Sequence, residues 1–425
     1  MTIPKSSSSP FSFALLALII SGEAIFILPF VLARVFRPTV LEVFDLSNLE
    51  LGFIFSVYGI VAFFAYVLGG PLADKYNARM LIVIALISTS IGGLFLASIP
   101  SYSGMKFLFG FWGMTTILLF WAALIRATRE LGGEKFQGIA FGFLDGGRGL
   151  VSALIGTMTV VVFAYFLPLD IELSTLSERT YALQRVIYFM VVFIVVVSIT
   201  VFYLLPSKQS KANTSSELSL HKLSQLLRLP TIWLQAVIII CAYVGYKALS
   251  DYTLFAKEVL LFNEIESAQV GGLMLWVRPI AALGAGLLAV RLKALKLIIA
   301  SFCIMFLGCL SFAAGLVTAG TVSLFFLAMI STCTGVFALR ALYFTILKEA
   351  SVPMALTGTA VGFISLIGYT PDIFMGPLMG WLLDRNPGAL GHQHLFMVLA
   401  AFSLLGLVAT ILFHKFSQGE AMKVD

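Results

Sequence analysis

The 425 residues are 60% hydrophobic and 11% charged. Soluble domains carry about 25% charged residues, so this composition excludes one and points to a polytopic membrane protein. The net charge of +6 reads as basic residues held at one membrane face, not as a nucleic-acid surface.

Met1–Pro10 is polar and Ser-rich, and the chain turns apolar at Phe11. No small-residue cleavage site follows at short range, so this run reads as a first transmembrane helix rather than a signal peptide. A spanning helix needs about 20 apolar residues. Twelve segments qualify: 11–36, 51–69, 80–99, 105–127, 137–166, 186–205, 231–260, 268–289, 295–318, 320–347, 355–383 and 394–414. Twelve spans leave both termini on one side. The loops on that side hold Lys75, Arg79, Arg126, Arg129, Lys135, Lys208, Lys211, Lys222, Arg228, Arg291, Lys293, Lys296 and Lys348, with Lys5, Lys415 and Lys423 at the ends. The opposite loops hold fewer: Arg34, Arg37, Lys106, Arg179, Arg185, Lys257 and Arg385. The bias predicts cytoplasmic termini. Residues 206–230 are the one long polar stretch inside the chain and predict a cytoplasmic linker with a short amphipathic end. It divides the chain into bundles over 1–205 and 231–425. Cys241, Cys303, Cys309 and Cys333 lie in apolar runs and read as core residues.

Gly69–Arg79 reads GGPLADKYNAR between the second and third apolar runs. Asp74, Lys75 and Arg79 predict a tight polar loop at a membrane face. Gly69 and Gly70 predict close helix packing, and Asp74 suits a helix N-terminus. This string resembles the loop signature between the second and third helices of the major facilitator superfamily, roughly Gly-x-Leu-Ala-Asp-basic-x-Gly-x-basic. Gly70, Leu72, Ala73, Asp74, Lys75 and Arg79 match, and Asn77 stands where the family usually has a second glycine. The resemblance implies an all-α membrane protein of 12 transmembrane helices in two pseudo-symmetric six-helix bundles. It further implies a conformational latch of Gly70, Asp74 and Arg79 with Arg126 or Arg129, because a basic residue ending the fourth span pairs with the loop aspartate in that family. GYTPDIF at 368–374, with GPLMGWLLD after it, is similar to a bacterial branch assigned loosely to sugar-phosphate, nucleoside or organic-anion permeases. The halves also echo each other. GIAFGF at 138–143 recurs as GTAVGF at 358–363, and GPLA at 70–73 as GLLA at 286–289, with Val290 in place of the aspartate.

Ionisable residues inside a bilayer are costly and usually face a wet cavity or the bundle interior. Glu23 lies midway along span one and suits a proton-coupling site, or an ion pair with Arg148 or Arg340. Asp145 and Arg148 stand three apart in span five, either as a structural pair or with Arg148 on substrate. Tyr243, Lys247 and Asp251 follow at four-residue spacing in span seven, as a cavity wall or a self-satisfied pair. Arg278 and Arg340, with Tyr343 beside the latter, have no carboxylate four residues away and so need a partner helix or an anionic ligand. Asp372 follows Thr-Pro and is expected at a helix break, answering an arginine. His392 and His394 in an outer loop have no third metal ligand nearby.

These features predict a secondary transporter of a small polar or anionic metabolite in the bacterial inner membrane, proton-coupled and working by alternating access. Substrate would meet Arg148, Arg278, Arg340, Lys247, Tyr243 and Tyr343. Protons would use Glu23, Asp145, Asp251 or Asp372. No cofactor beyond an ion gradient and no metal is expected. The partners are the substrate and membrane lipid, without nucleic acid, and the chain is expected to act as a monomer. Rival readings are a transporter-like sensor, a neutral sugar or nucleoside permease, and a membrane enzyme. The last lacks a catalytic constellation.

Overall fold

Among the described residues of the computed structural model, twelve helices are long and apolar enough to cross a membrane. In order, spans one to six are Phe13–Val35, Asn48–Lys75, Ala78–Ala97, Tyr102–Gly133, Ala140–Phe166 and Leu176–Leu204. Spans seven to twelve are Pro230–Ala248, Glu264–Arg291, Ala294–Ala313, Ala319–Leu342, Ala360–Arg385 and Ala389–Gln418. The structure describes residues 13–168, 170–171, 173–207, 227, 229–350 and 357–421. Most of the expected linker at 206–230 lies outside them, as do Lys5, Lys208, Lys211, Lys222, Arg228 and Lys423.

Local chemistry explains several span starts. Ser47 and Glu50 form a capping box at span two, Thr175 and Glu178 at span six, and Asn263 and Glu266 at span eight. Each pair satisfies amides the helix leaves open. All three lie at the face away from the termini, hereafter the outer face. Span six therefore begins ten residues before the expected 186, its first turns being polar but capped.

Three expectations need correction. Gly69–Lys75 is helix, with Pro71 inside it, so the turn to span three is only Tyr76 and Asn77. Gly69 faces the Ile117 and Leu118 carbonyls, but Gly70 has nothing within 4 Å of an added Cβ, so it makes no close crossing. Asn77 fills the place of the second glycine because its side chain accepts from the Arg79 amide at 2.9 Å and caps span three. Asn77→Ala is expected to lower stability by about 1 kcal/mol, read as a lower thermal midpoint in detergent; an unchanged midpoint would remove the cap's importance. Second, span seven ends at Ala248, and a separate helix, Asp251–Glu258, follows a turn at 249–250. Third, His392 and His394 belong to the helix Ala389–Ala421, not to a loop.

One buried apolar core runs from Ala14 to Leu205 and takes in Ala268 and Leu275; a second runs from Ile232 to Phe413. Glycines let spans two and eleven meet across the seam. A Cβ at Gly52 would lie 2.3 Å from the Gly376 carbonyl oxygen, and one at Gly59 would lie 2.5 Å from that of Asp372. Span one changes to a wider π turn at Ile27–Val31, where Pro29 removes an amide, and span four does so at Met114–Trp121. Both irregular turns flank the same central space.

Candidate functional site

Side chains from spans one, two, four, five, seven, ten and eleven enclose a cavity of about 90 Å³ between the two cores. That has room for several waters. Aromatic rings make nearly half of the wall, with Tyr58, Tyr66, Tyr243, Tyr246 and Tyr369 bringing hydroxyls.

Two carboxylates face it, each answered. Glu23 is 3% exposed. Its Oε1 accepts from Arg278 Nη1 at 2.9 Å, a bond joining span one to span eight across the seam. Arg148 Nε stands 3.4 Å from Oε2 but donates to the Gly22 carbonyl at 2.9 Å, so Oε2 has no hydrogen bond of its own. Trp121 and Phe26 lie 5.4 and 5.6 Å from the Arg148 guanidinium. Asp372 Oδ1 pairs with Lys247 Nζ at 2.8 Å, and Oδ2 accepts from the Tyr243 hydroxyl at 3.0 Å.

Of the cations lining the cavity, Arg34 and Arg340 have no carboxylate partner among the described residues. Arg340 lies 3.8 Å from the centre of the Tyr246 ring and 5.4 Å from that of Tyr243, and its Nη1 is buried without a hydrogen bond. Arg34 approaches the same Tyr246 ring at 4.5 Å and donates from Nη1 to its hydroxyl at 3.3 Å. Four cations thus meet two carboxylates in the cavity lining, with Arg278 behind Glu23 and Asp145 beside Arg148.

The expected site residues divide accordingly. Glu23, Arg148, Tyr243, Lys247, Arg340 and Asp372 line the cavity. Arg278 reaches it through Glu23. Arg340 does not pair with Glu23, and Asp372 answers Lys247 instead of an arginine. Asp372 does follow a break, the turn at 369–370. Tyr343 sits behind the wall, its hydroxyl 3.3 Å from that of Tyr369. Asp145 lies 4.0 Å from Arg148 with a side chain 62% exposed, at the rim. Lys247 does not pair with Asp251, because the turn at 249–250 breaks their helical spacing. Asp251 is instead buried against His392 Nδ1 at 2.9 Å, and His392 Nε2 lies 3.2 Å from Glu258. That cluster stands apart from the cavity lining. Among the described residues no group of metal-binding side chains assembles.

The expected latch is rearranged too. Arg126 donates to the backbone carbonyls of Ala73 and Asp74 and pairs with Glu130 at 2.8 Å. It meets Asp74 through the main chain because the helix continues to Lys75 and turns that carbonyl toward span four. Asp74 and Arg129 are exposed. Arg79 donates to the carbonyls of Phe202 and Leu205 and stacks on Phe202.

Among the described residues, the hydrogen bonds and ion pairs that join 13–205 to 230–421 run from Glu23–Arg278 outward. They include Thr157–Trp276, Arg34–Tyr246, Arg37–Ser250, Arg179–Glu264, and Asn48 and Leu49 with Asp384. Among the described residues these bonds fasten the halves at the outer face, with none at the face of the termini.

A family model described as Major Facilitator Superfamily matches residues 13–371. The chain is 28% identical over 431 residues to inner membrane protein YihN of Escherichia coli (strain K12), covering 95% of this chain and 94% of that one. It is 28% identical over 380 residues to inner membrane protein YqcE of the same organism, covering 87% of each. Among solved structures, nucleoside transporter NupG superposes with a TM-score of 0.70 at 16% identity, covering 95% of this chain and 99% of that one. A bacterial homolog of the human lysosomal transporter Spinster, inward-facing and unoccupied, gives 0.67 at 17% identity, covering 97% and 98%.

Proposed function

Because the chain belongs to the Major Facilitator Superfamily, and is a transporter rather than an enzyme, we propose that it moves a small anionic metabolite by alternating access. It is a multi-pass protein of the bacterial inner membrane, as its apolar helices and inner-membrane relatives support. Both termini face the cytoplasm on the basic-residue bias, so the fastened outer face is the periplasmic one.

One observation carries the anionic reading. Arg34 and Arg340 flank a single tyrosine ring inside an aromatic cavity, without a carboxylate for either. A buried guanidinium without a counter-charge is costly, and a bound oxyanion would remove that cost. Its planar fork also suits carboxylate or phosphate. The tyrosine hydroxyls and Asp372 would hold the cargo's polar body. A neutral sugar or nucleoside would leave both arginines unanswered. A sensor would need a partner surface that the short linker does not supply.

Proton coupling belongs to the same proposal, with Glu23 as the site. Its Oε2 accepts no hydrogen bond, although the Arg148 guanidinium stands 3.4 Å away, and it is the oxygen on which the proton would sit. A proton there would weaken the Arg278 bond that spans the seam, linking protonation to the closure of the halves.

Uptake into proteoliposomes under a pH gradient, with a panel of matched anionic and neutral metabolites, tests the reading. Anionic compounds should accumulate, and Arg340→Gln should cut their uptake at least tenfold. Accumulation of neutral compounds alone would overturn the anion assignment; binding without flux would favour the sensor.

A further inference from the structure

A second, smaller pocket of about 30 Å³ lies between the central cavity and the outer face. It has room for one small oxyanion group or two or three waters. Its charged lining is Arg34, Arg37 and Lys247, with no carboxylate among the lining residues. Lys247 is already held by Asp372. Arg34 and Arg37 are only 6% and 3% exposed, and the Nε of each is buried with no hydrogen-bond partner.

The nearby carboxylates Asp251, Glu258 and Asp384 act on Arg37 only through space and hydrogen-bond to other groups, Asp251 through Oδ2 with its Oδ1 unpartnered. Arg37 donates from Nη2 to Asn48 Oδ1 at 2.8 Å and from Nη1 to Ser250 Oγ at 3.3 Å, both neutral partners. Asp384 takes the amides of Asn48 and Leu49. Asp251 and Glu258 hold His392. Two buried cations therefore each keep an unused donor, and both line a small space whose wall is otherwise mostly apolar and holds no acid, an arrangement that favours an anion over empty space.

We propose that this pocket is a staging site for the oxyanion end of the cargo, one step outward from the central cavity. Arg34 lines both spaces. An oxyanion thus passes from Arg37 to Arg34 to Arg340 with a guanidinium beside it throughout. The site's purpose rests on the anionic-cargo reading; its geometry does not.

Inorganic sulfate serves as the probe. The detergent-purified full chain is titrated with sodium sulfate against sodium chloride at matched ionic strength, and the thermal midpoint is read. Sulfate should raise the midpoint of the unsubstituted protein. Arg340→Gln, outside this pocket, should keep most of the shift, and Arg37→Gln should lose at least half of it. A shift abolished by Arg340→Gln and untouched by Arg37→Gln puts the anion in the central cavity alone. That overturns the staging site and leaves the transport reading standing. No response to sulfate in any protein also overturns the staging site, while uptake still decides the transport reading separately. Should Arg37→Gln fail to fold, selenate in crystals of the unsubstituted protein replaces it. An anomalous peak beside Arg34 and Arg37 supports the site, and a peak beside Arg340 only overturns it.

Discussion

Glu23→Gln is expected to abolish accumulation driven by a pH gradient and to lower stability by about 3 kcal/mol. Glutamine keeps an oxygen that can accept from Arg278, so the local shape survives. It cannot carry the negative charge that answers Arg278 and Arg148, nor release a proton. Removing one partner of a buried ion pair typically costs about 3–5 kcal/mol because the other charge stays behind. The retained hydrogen bond puts this variant near the lower end. Adding Arg278→Gln should return part of the loss, since the stranded cation goes with it; the pair is in contact and its effects should not add. Exchange of cargo across the membrane without a gradient should survive better than accumulation. Gradient-driven accumulation that persists in Glu23→Gln would move coupling to another carboxylate, with Asp372 next in line because it too lines the cavity.

The membrane fold was legible because hydrocarbon demands long uncharged runs, and these occur with little ambiguity. The errors fell where polar residues are helical. Ser47–Glu50, Thr175–Glu178 and Asn263–Glu266 extend spans two, six and eight beyond their apolar runs, and the capping-box spacing was the readable signal for each. The break after Ala248 was harder, since no proline or glycine marks it in YKALSDY. Missing it made Lys247 and Asp251 look like neighbours.

The cavity was half legible. Buried charge pointed to Glu23, Arg148, Arg340 and Asp372, because a charge in lipid needs a reason. Partners on distant helices were not legible, since Glu23–Arg278 across the seam and Lys247–Asp372 within the second half pair residues 255 and 125 positions apart in sequence. Arg34 was assigned to an outer loop. It lies at the inner side of that boundary because the π turn at Pro29 re-aims the end of span one. Tyr58, Ala62 and Tyr66 recur every four residues on one face of span two, a stripe that would have predicted the aromatic wall.

Gly380→Leu should hold the outer face open and reduce transport at least a hundredfold while sparing the folding of each core. In the fastened state an added Cβ at Gly380 would lie 2.3 Å from Leu49 Cα and 2.4 Å from the Asn48 carbonyl oxygen. Those are backbone atoms, so no side-chain rotation relieves the overlap, and spans two and eleven must separate at their outer ends. A penalty of about 3 kcal/mol on the closed state already shifts its population more than a hundredfold. Asp384→Asn is the graded companion. The Asp384 carboxylate accepts from the Leu49 amide at 2.7 Å and the Asn48 amide at 3.1 Å, so a residue of one half caps a helix of the other. The charge favours the N-terminal end of span two. Asp384 is solvent-exposed, so its loss should cost only about 0.5–1 kcal/mol and change the closed-to-open ratio about two- to fivefold. A cysteine placed by Ser250→Cys, at the outer seam beside Arg37, reads both effects as faster reaction with a membrane-impermeant maleimide. Transport through a Gly380→Leu protein with unchanged labelling would mean that spans two and eleven need not close for turnover, and the gating role of their glycine crossings would fall.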